Sequence, residues 1–143
     1  MNEGSFRIED EDDVRAYLQN LKYCIRSGST IDLIRERRVD QDRDIKYTNR
    51  FTIHDLFPNE DPVTALKREL QTLSVRDYIH TLKDTRYPQK SEWRVFGKTY
   101  GQADEVYIKI RVELIAEYGN SLIVVMSFHY AEHSFDEATF PYR

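Results

Sequence analysis

The 143-residue chain is 40% apolar and 13% aromatic, which predicts a single domain over residues 1–143 with one core and excludes an intrinsically disordered protein. No apolar run approaches the roughly 18 residues of a membrane helix, and the acidic start excludes a typical signal peptide, so we expect a cytoplasmic protein with no membrane partner. The formal net charge of −4 is concentrated in an acidic lead-in, residues 1–13, which excludes a strongly basic nucleic-acid-binding protein.

The first predicted element is an amphipathic helix in DEDDVRAYLQNLKYCIRSG. Acidic residues crowd its first turn, Gly28 is placed to end it, and apolar residues such as Val14, Leu18 and Leu21 recur at helical spacing. The next stretch, STIDLIRER, predicts a short strand. The charged stretch RVDQDRDIKYTNR has no hydrophobic period and is predicted to be an exposed loop.

Two consecutive helices are predicted between residues 62 and 84. In the first, Asp61 is the N-cap, Pro62 occupies the first helical position, and VTALKRELQTL follows a helical period. In the second, Ser74 and Asp77 have the spacing of a capping box at the start of VRDYIHTLKD. A further turn of helix is predicted over residues 52–57.

The chain then changes to a strand period. The stretches EWRVFGKTY, DEVYIKIRVELIAEY and SLIVVMSFHY are rich in β-branched and aromatic residues and are broken at GQA and GN. They predict three consecutive strands in an antiparallel meander. The predicted fold class is therefore α+β, with an N-terminal helix and short strand, two further helices, and a three-stranded antiparallel meander covered by helices on one face.

Polar side chains predict a functional surface on this meander. Alternation in the middle strand places three of them on the face opposite its apolar residues: Tyr107, Lys109 and Arg111. Trp93 and Arg94 occupy opposite faces of the first strand, so one of them should join this face. Cations outnumber acids over residues 86–111, Lys98 among them, which indicates a locally basic surface.

The last strand is predicted to bring two more polar residues to this surface. Strict alternation places Ser127 and His129 on the same side as Val125, and Phe128 on the other side with Val124. In an antiparallel neighbour of the middle strand, Ser127 and His129 lie within cross-strand reach of its polar residues. The character of the strand thus changes from apolar to polar along its length.

The sequence lacks the motifs of common metal- and nucleotide-dependent enzymes. It has no glycine-rich phosphate loop, dinucleotide fingerprint or HExxH, and its single cysteine, Cys24, provides neither an internal disulfide nor a zinc cluster. His129 and His133 would share a face only in a helix, and their strand context disfavours a metal site. We predict no metal and no cofactor.

A face that combines lysine, arginine, tyrosine and histidine suits the metal-free cleavage of RNA. One group removes the proton of the ribose 2′-hydroxyl, cations stabilise the charge on phosphate, and another group protonates the departing 5′-oxygen. Histidine can perform either proton transfer near neutral pH. The alternative interpretation is an ordinary strand surface, because tyrosine and lysine are common exposed residues.

Several motifs resemble a known family in their order. LSVRDYIHTLKD, SEWRVFGKTY, DEVYIKIRVE and LIVVMSFHYAE, followed by FPY, resemble the MqsR-like (motility quorum-sensing regulator) toxins of bacterial type II toxin–antitoxin systems over residues 60–143. The resemblance implies a RelE-like microbial ribonuclease fold. It also implies metal-independent cleavage of single-stranded mRNA and neutralisation by a cognate antitoxin protein.

The resemblance also implies functional positions. A lysine of the family corresponds to His80, and a glutamine corresponds to Arg94; both departures keep a group that can contact phosphate. The family's strand tyrosine corresponds to Tyr107, the nearby lysine to Lys109, and the basic residue that closes the last strand to His129. We expect four catalytic residues and three substrate-binding residues: His129, Tyr107, Lys109 and His80, and Arg94, Arg111 and Lys98.

Two functions remain open at this point. One is a metal-independent endoribonuclease toxin, and the other is a non-catalytic module that binds RNA or a protein partner on the same fold. A third interpretation makes the acidic lead-in, residues 1–13, a competitor for the basic face, whereas the simpler interpretation makes it a solvated start to the first helix.

Overall fold

The protein is described by a computed structural model over residues 6–35, 37–115 and 120–143. The first five residues of the acidic lead-in and the predicted break at Gly119 lie outside the described residues. The helices and strands, in chain order, are β1 (Phe6–Arg7), α1 (Glu11–Arg26), β2 (Thr30–Leu33), α2 (Asn49–Leu56), α3 (Pro62–Leu70), β3 (Tyr78–Leu82), β4 (Trp93–Tyr100), β5 (Asp104–Ile115) and β6 (Asn120–Tyr130). These elements confirm the α+β class.

The strands form one six-stranded sheet in the order β1-β3-β4-β5-β6-β2. Neighbouring strands are antiparallel except β6 and β2, which are parallel. The three C-terminal strands are neighbours within this sheet, but the expected three-stranded sheet is wrong. The sheet is wider because β1 and β3 extend one edge and β2 extends the other.

The second of the two consecutive helices is also wrong. Its capping box is present, since the Asp77 carboxylate accepts a hydrogen bond from the Ser74 amide at 2.9 Å, but it opens only a single 3-10 turn, Val75–Asp77. The chain then extends into β3, which pairs with both β1 and β4. The β-branched Ile79 and Thr81 suit a strand, and pairing on both edges outweighs the local helical signal.

The three described helices cover one face of the sheet, here called the helix face. Buried residues of α1, such as Leu18 and Leu21, pack with Leu66 of α3 and with Ile108 of β5 in the main core. Each such fully buried side chain stabilises the fold by about 1.5–3 kcal/mol. Gly28 follows α1 with a φ of +89°, as its C-terminal position predicted. None of the described helices has the length and apolar character needed to cross a membrane.

The opposite face, here called the open face, carries a second and smaller apolar cluster. It includes Val95 of β4, Val124 of β6 and Phe140 of the C-terminal segment, and no residue of α1, α2 or α3 belongs to it. The C-terminal segment lies so close to β4 that a Cβ on Gly97 would be 2.8 Å from the ring of Phe135. Glycine is therefore required at position 97 for this close approach.

A β-bulge at Met126 interrupts the pairing of β5 with β6. Lys109 lies opposite Ser127, whereas the next residue of β5, Ile110, lies opposite Val125, so Met126 has no directly opposite residue. A bulge of this kind inserts one extra residue into one strand. Every residue of β6 after the bulge therefore lies on the face opposite to the one that strict alternation predicts.

The bulge decides which residues of β6 reach the open face. Val125 and Phe128 both belong to the main core, whereas Ser127 and His129 lie on the open face with Val124. The predicted alternation, which grouped His129 with Val125 and Phe128 with Val124, is wrong beyond the bulge. The bulge thus explains how a strand with an apolar first half delivers a histidine to the side away from the helices.

Helix α2 satisfies the backbone groups around the bulge. The buried Asn49 side chain donates to the Met126 carbonyl at 2.9 Å and accepts from the Phe128 amide at 3.0 Å. One turn later, the Thr52 hydroxyl accepts from the Tyr130 amide at 2.9 Å. Because buried backbone groups need partners, these side chains fix the end of β6 in place. Helix α2 begins three residues before the predicted turn of helix.

Candidate functional site

A groove of about 570 Å³ opens on the open face where β6 ends. Four polar residues that were expected on one surface line it together: Tyr107, Lys109, Ser127 and His129. The stretch after β2 forms one side of the groove, and the C-terminal segment, through Phe135, forms another. The charged stretch after β2 is not a plain exposed loop, because it contains two 3-10 turns, Arg38–Asp42 and Ile45–Tyr47.

The four polar residues occupy neighbouring positions on β5 and β6. Tyr107 lies directly opposite His129, and Lys109 lies directly opposite Ser127. The rings of Tyr107 and His129 are stacked, with centroids 5.5 Å apart and planes inclined at 23°. Since directly opposite residues of antiparallel strands share a face, the pairing brings their functional groups together without any loop rearrangement.

The His129 ring is held in one tautomer. Its Nδ1 lies 2.9 Å from the Tyr130 carbonyl oxygen, which can only accept, so Nδ1 carries the proton and Nε2 carries the lone pair. Burial lowers the pKa of His129, and the positive charges of Arg43 and Arg37 lower it further, while the Tyr130 carbonyl and Glu132 oppose the shift. His129 is therefore neutral at pH 7, and Nε2 is a proton acceptor.

Two arginines outside the predicted set also line the groove. Arg37 donates to the Ser127 hydroxyl at 3.1 Å, and Arg43 forms an ion pair with Glu132 at 3.2 Å. Both follow β2, which runs parallel to β6, and parallel neighbours end at the same edge of a sheet. The run of cations after β2 was visible in the sequence, but the pairing that brings it beside His129 was not.

Trp93 is the β4 residue that joins the open face. The Lys109 ammonium lies 5.5 Å from the centroid of its ring, and the Arg111 guanidinium lies 4.1 Å from it. Arg111 is only 6% exposed and forms an ion pair with Asp84 at 2.6 Å, so its charge is compensated inside the protein. Arg111 shares the face with Lys109 but does not line the groove.

Two predicted substrate-binding residues lie on the helix face. Arg94 makes two hydrogen bonds to the buried Glu9 carboxylate, at 2.9 and 3.0 Å, and lies over the ring of Tyr17. Lys98 donates to the Thr72 carbonyl at 3.3 Å. The structure therefore places Arg94 and Lys98 on the other side of the sheet from His129. Glu9, in the described part of the acidic lead-in, contacts Arg94 instead of the groove.

His80 lies on the same face as the groove but outside it. It is opposite Val95 on β4, and β4 separates it from β5, so His80 is two strands, or roughly 10 Å, from Lys109. Its ring lies against Phe6 of the edge strand, with centroids 5.0 Å apart. The structure does not bring His80 together with His129.

Other parts of the surface offer less chemistry. A separate cavity of about 450 Å³ beside α2 has a largely apolar surface, and its lining also includes His54, Arg35 and Arg50. Within the described ranges, no three or more His, Cys, Asp or Glu side chains are arranged to hold a metal ion. The groove differs from this cavity because its histidine, His129, is buried and stacked on Tyr107 beside several cations.

Comparisons of the chain with protein families, with curated proteins and with solved structures give no match.

Proposed function

We propose that the chain is a metal-independent endoribonuclease that cleaves single-stranded mRNA and acts as the toxin of a type II toxin–antitoxin pair. The observation that carries the proposal is the geometry of His129: its Nδ1 donates to the Tyr130 carbonyl, and its ring is stacked on Tyr107 in a groove that Lys109, Arg37 and Arg43 also line. This combination provides a base, a hydroxyl donor and cations for phosphate within one site.

In the proposed reaction, His129 Nε2 removes the proton of the ribose 2′-hydroxyl. The 2′-oxygen then attacks the adjacent phosphorus, and the bond from phosphorus to the 5′-oxygen breaks. Tyr107 gives its hydroxyl proton to that departing oxygen. The products are a 2′,3′-cyclic phosphate and a free 5′-hydroxyl, and each proton transfer is worth about 10²–10⁴-fold in rate.

The cations of the groove stabilise the charge that develops during this attack. Phosphate gains negative charge as the 2′-oxygen adds. Lys109 lies directly opposite Ser127, and Arg37 donates to the Ser127 hydroxyl. Arginine suits this role because its planar fork of donors matches two phosphate oxygens. Groups held in place before the reaction stabilise such charge without reorganisation.

The toxin assignment rests on the motifs over residues 60–143, which resemble MqsR-like toxins, and the same resemblance supports a RelE-like arrangement of the sheet. We propose that the cognate antitoxin neutralises the protein by denying RNA access to the groove. A cytoplasmic location follows from the same proposal, because mRNA is the substrate.

The alternative is a module that binds RNA without cutting it. One observation favours this alternative: only 7% of His129 is exposed, which limits direct contact between its ring and a substrate. In that case the cations of the groove would hold phosphate, and binding would weaken steeply with salt. No 2′,3′-cyclic phosphate would form.

The test uses purified protein, a 5′-labelled single-stranded RNA and a chelator. We expect fragments that end in 2′,3′-cyclic phosphate, and His129→Gln should slow their formation by about 10²–10⁴-fold because the base is lost. His54→Gln, an exposed histidine on α2 away from the groove, is the matched control and should cleave like the wild type. Intact RNA with the folded wild type, or equal cleavage by His129→Gln, would overturn the proposal.

A further inference from the structure

Three aromatic rings form a row across the open face, here called the aromatic row. The ring of Phe135 lies over Gly97, Gly97 is directly opposite Tyr107, and Tyr107 is directly opposite His129. The row therefore crosses β4, β5 and β6 at a single level of the sheet. Phe135 lies at one end of it and also lines the groove.

Phe135 makes several close contacts although it lies outside regular secondary structure. Its ring packs edge-on against the buried Phe140, with centroids 5.4 Å apart and planes at 84°. Its amide donates to the Glu105 carboxylate at 3.2 Å, and the Ala131 amide donates to the Glu105 carbonyl at 2.8 Å. The packing on Gly97 adds a third contact, while Phe135 remains partly exposed and lines the groove, so the ring is positioned before any ligand binds.

A polar row runs beside the aromatic row. Lys109 lies two residues after Tyr107 on β5, and Ser127 lies two residues before His129 on β6, so each is roughly 6.6 Å from the aromatic row. The Ser127 hydroxyl accepts a hydrogen bond from Arg37. A nucleotide has a flat apolar base and a charged phosphate. The two rows offer an aromatic surface to the first and cations to the second.

We propose that Phe135 forms a nucleobase subsite, in which the base next to the cleaved phosphate stacks on its ring. The inference rests on the proposed function for the identity of the ligand, and it adds the residue that binds the base and thereby influences which sites are cut. Stacking requires an unpaired base, so the subsite favours single strands over duplexes.

The experiment measures the binding of a single-stranded oligonucleotide that carries 2′-deoxyribose throughout and therefore cannot be cleaved. Phe135→Leu keeps an apolar side chain to pack on Gly97 and Phe140 but removes the flat ring. We expect it to weaken binding by about 5- to 150-fold, the range measured for one base stacked on an aromatic side chain. Phe135→Trp should retain wild-type affinity, and Tyr23→Ala, an exposed aromatic on α1, should have no effect.

Abasic scanning of the same oligonucleotide identifies the contact. Removing one particular base should weaken binding to the wild type but not to Phe135→Leu, because the stacking partner is already lost. Equal affinity of Phe135→Leu and the wild type, or equal sensitivity of both to every abasic position, overturns the inference. If Phe135→Leu and the wild type bind equally and the wild type still cleaves RNA, the subsite is rejected and the proposed nuclease stands. If one abasic position weakens binding only to the wild type and no RNA is cleaved, the subsite is supported and the nuclease is rejected.

Discussion

The two faces of the sheet use arginine in different ways. On the helix face, Arg94 makes two hydrogen bonds to the buried Glu9, so the charges of the two side chains compensate each other. On the open face, Arg37 donates to the neutral hydroxyl of Ser127, and Arg37 and Arg43 together lower the pKa of His129. The difference teaches that the partner, and not the face alone, distinguishes these arginines. Arg94 and the open-face Arg111 each bond a buried carboxylate, whereas Arg37 donates to a hydroxyl that lines the groove.

The largest effect should come from breaking the pair on the helix face. Arg94→Gln leaves Glu9 buried without its two-pronged partner and should lower the free energy of unfolding by about 3–5 kcal/mol, measured by urea denaturation at pH 7. Burial opposes the shift, but the hydrogen bonds from Arg94 and Thr81 lower the pKa of Glu9. The stabilisation is therefore present above the ordinary pKa of glutamate and is lost as the pH falls through the lowered pKa. The variant and the wild type should therefore approach each other in stability in acid.

A control separates stability from function for Arg94. The double variant Glu9→Gln with Arg94→Gln should recover part of the lost stability, because no charge is left buried. The folded fraction of Arg94→Gln should bind RNA as the wild type does. Unchanged stability, or weaker RNA binding by the folded variant, would contradict the structural role given to Arg94.

A second comparison concerns the charges around His129. Arg43→Gln removes a charge that lowers the pKa of His129 and should raise that pKa, whereas Glu132→Gln removes an opposing charge and should lower it. NMR titration of the His129 ring measures both shifts directly. The base must be neutral, so the acid limb of kcat/KM for cleavage should move to higher pH in Arg43→Gln and to lower pH in Glu132→Gln. Shifts of the same sign would contradict the arrangement of charges.

The smallest effect concerns the salt dependence of RNA binding. Arg37→Gln should reduce the slope of log affinity against log salt by about 0.7, the value for one phosphate contact on a single strand. Arg15→Gln, an exposed cation of α1, should leave the slope unchanged. The measurement is a titration with an uncleavable oligonucleotide at several salt concentrations. An unchanged slope for Arg37→Gln would remove Arg37 from the phosphate-binding side of the groove.

Local patterns predicted much of the fold. Helix α1 and the start of α3 followed from apolar spacing and capping, and Asp61 accepts from the Thr64 amide at 3.0 Å as an N-cap should. The three C-terminal strands followed from their β-branched and aromatic residues. In contrast, β3 was predicted to be helical because Ser74 and Asp77 form a true capping box, and only pairing with distant strands reveals a strand.

The sequence predicted those parts of the site that do not depend on how one strand is aligned with its neighbour. Tyr107 and Lys109 are grouped correctly by alternation within β5, and His129 was identified as the residue of interest. Alternation within β6 fails at Met126, because a bulge depends on partners such as Asn49 that lie far away in sequence. Arg37 was missed for a similar reason, since its position depends on the parallel pairing of β2 with β6.

That parallel pairing also determines when the groove can form during synthesis. Arg37 and Ser127, which are bonded across the groove, are 90 residues apart in the chain, and β2 has no parallel neighbour until β6 has been made. Contacts between such distant segments form late in folding. A growing chain that ends before β6 contains α1, β2 and α2, but it lacks His129 and therefore the stack of His129 on Tyr107. Under the proposed function, a growing chain therefore lacks the base of its site until its last strand has been added.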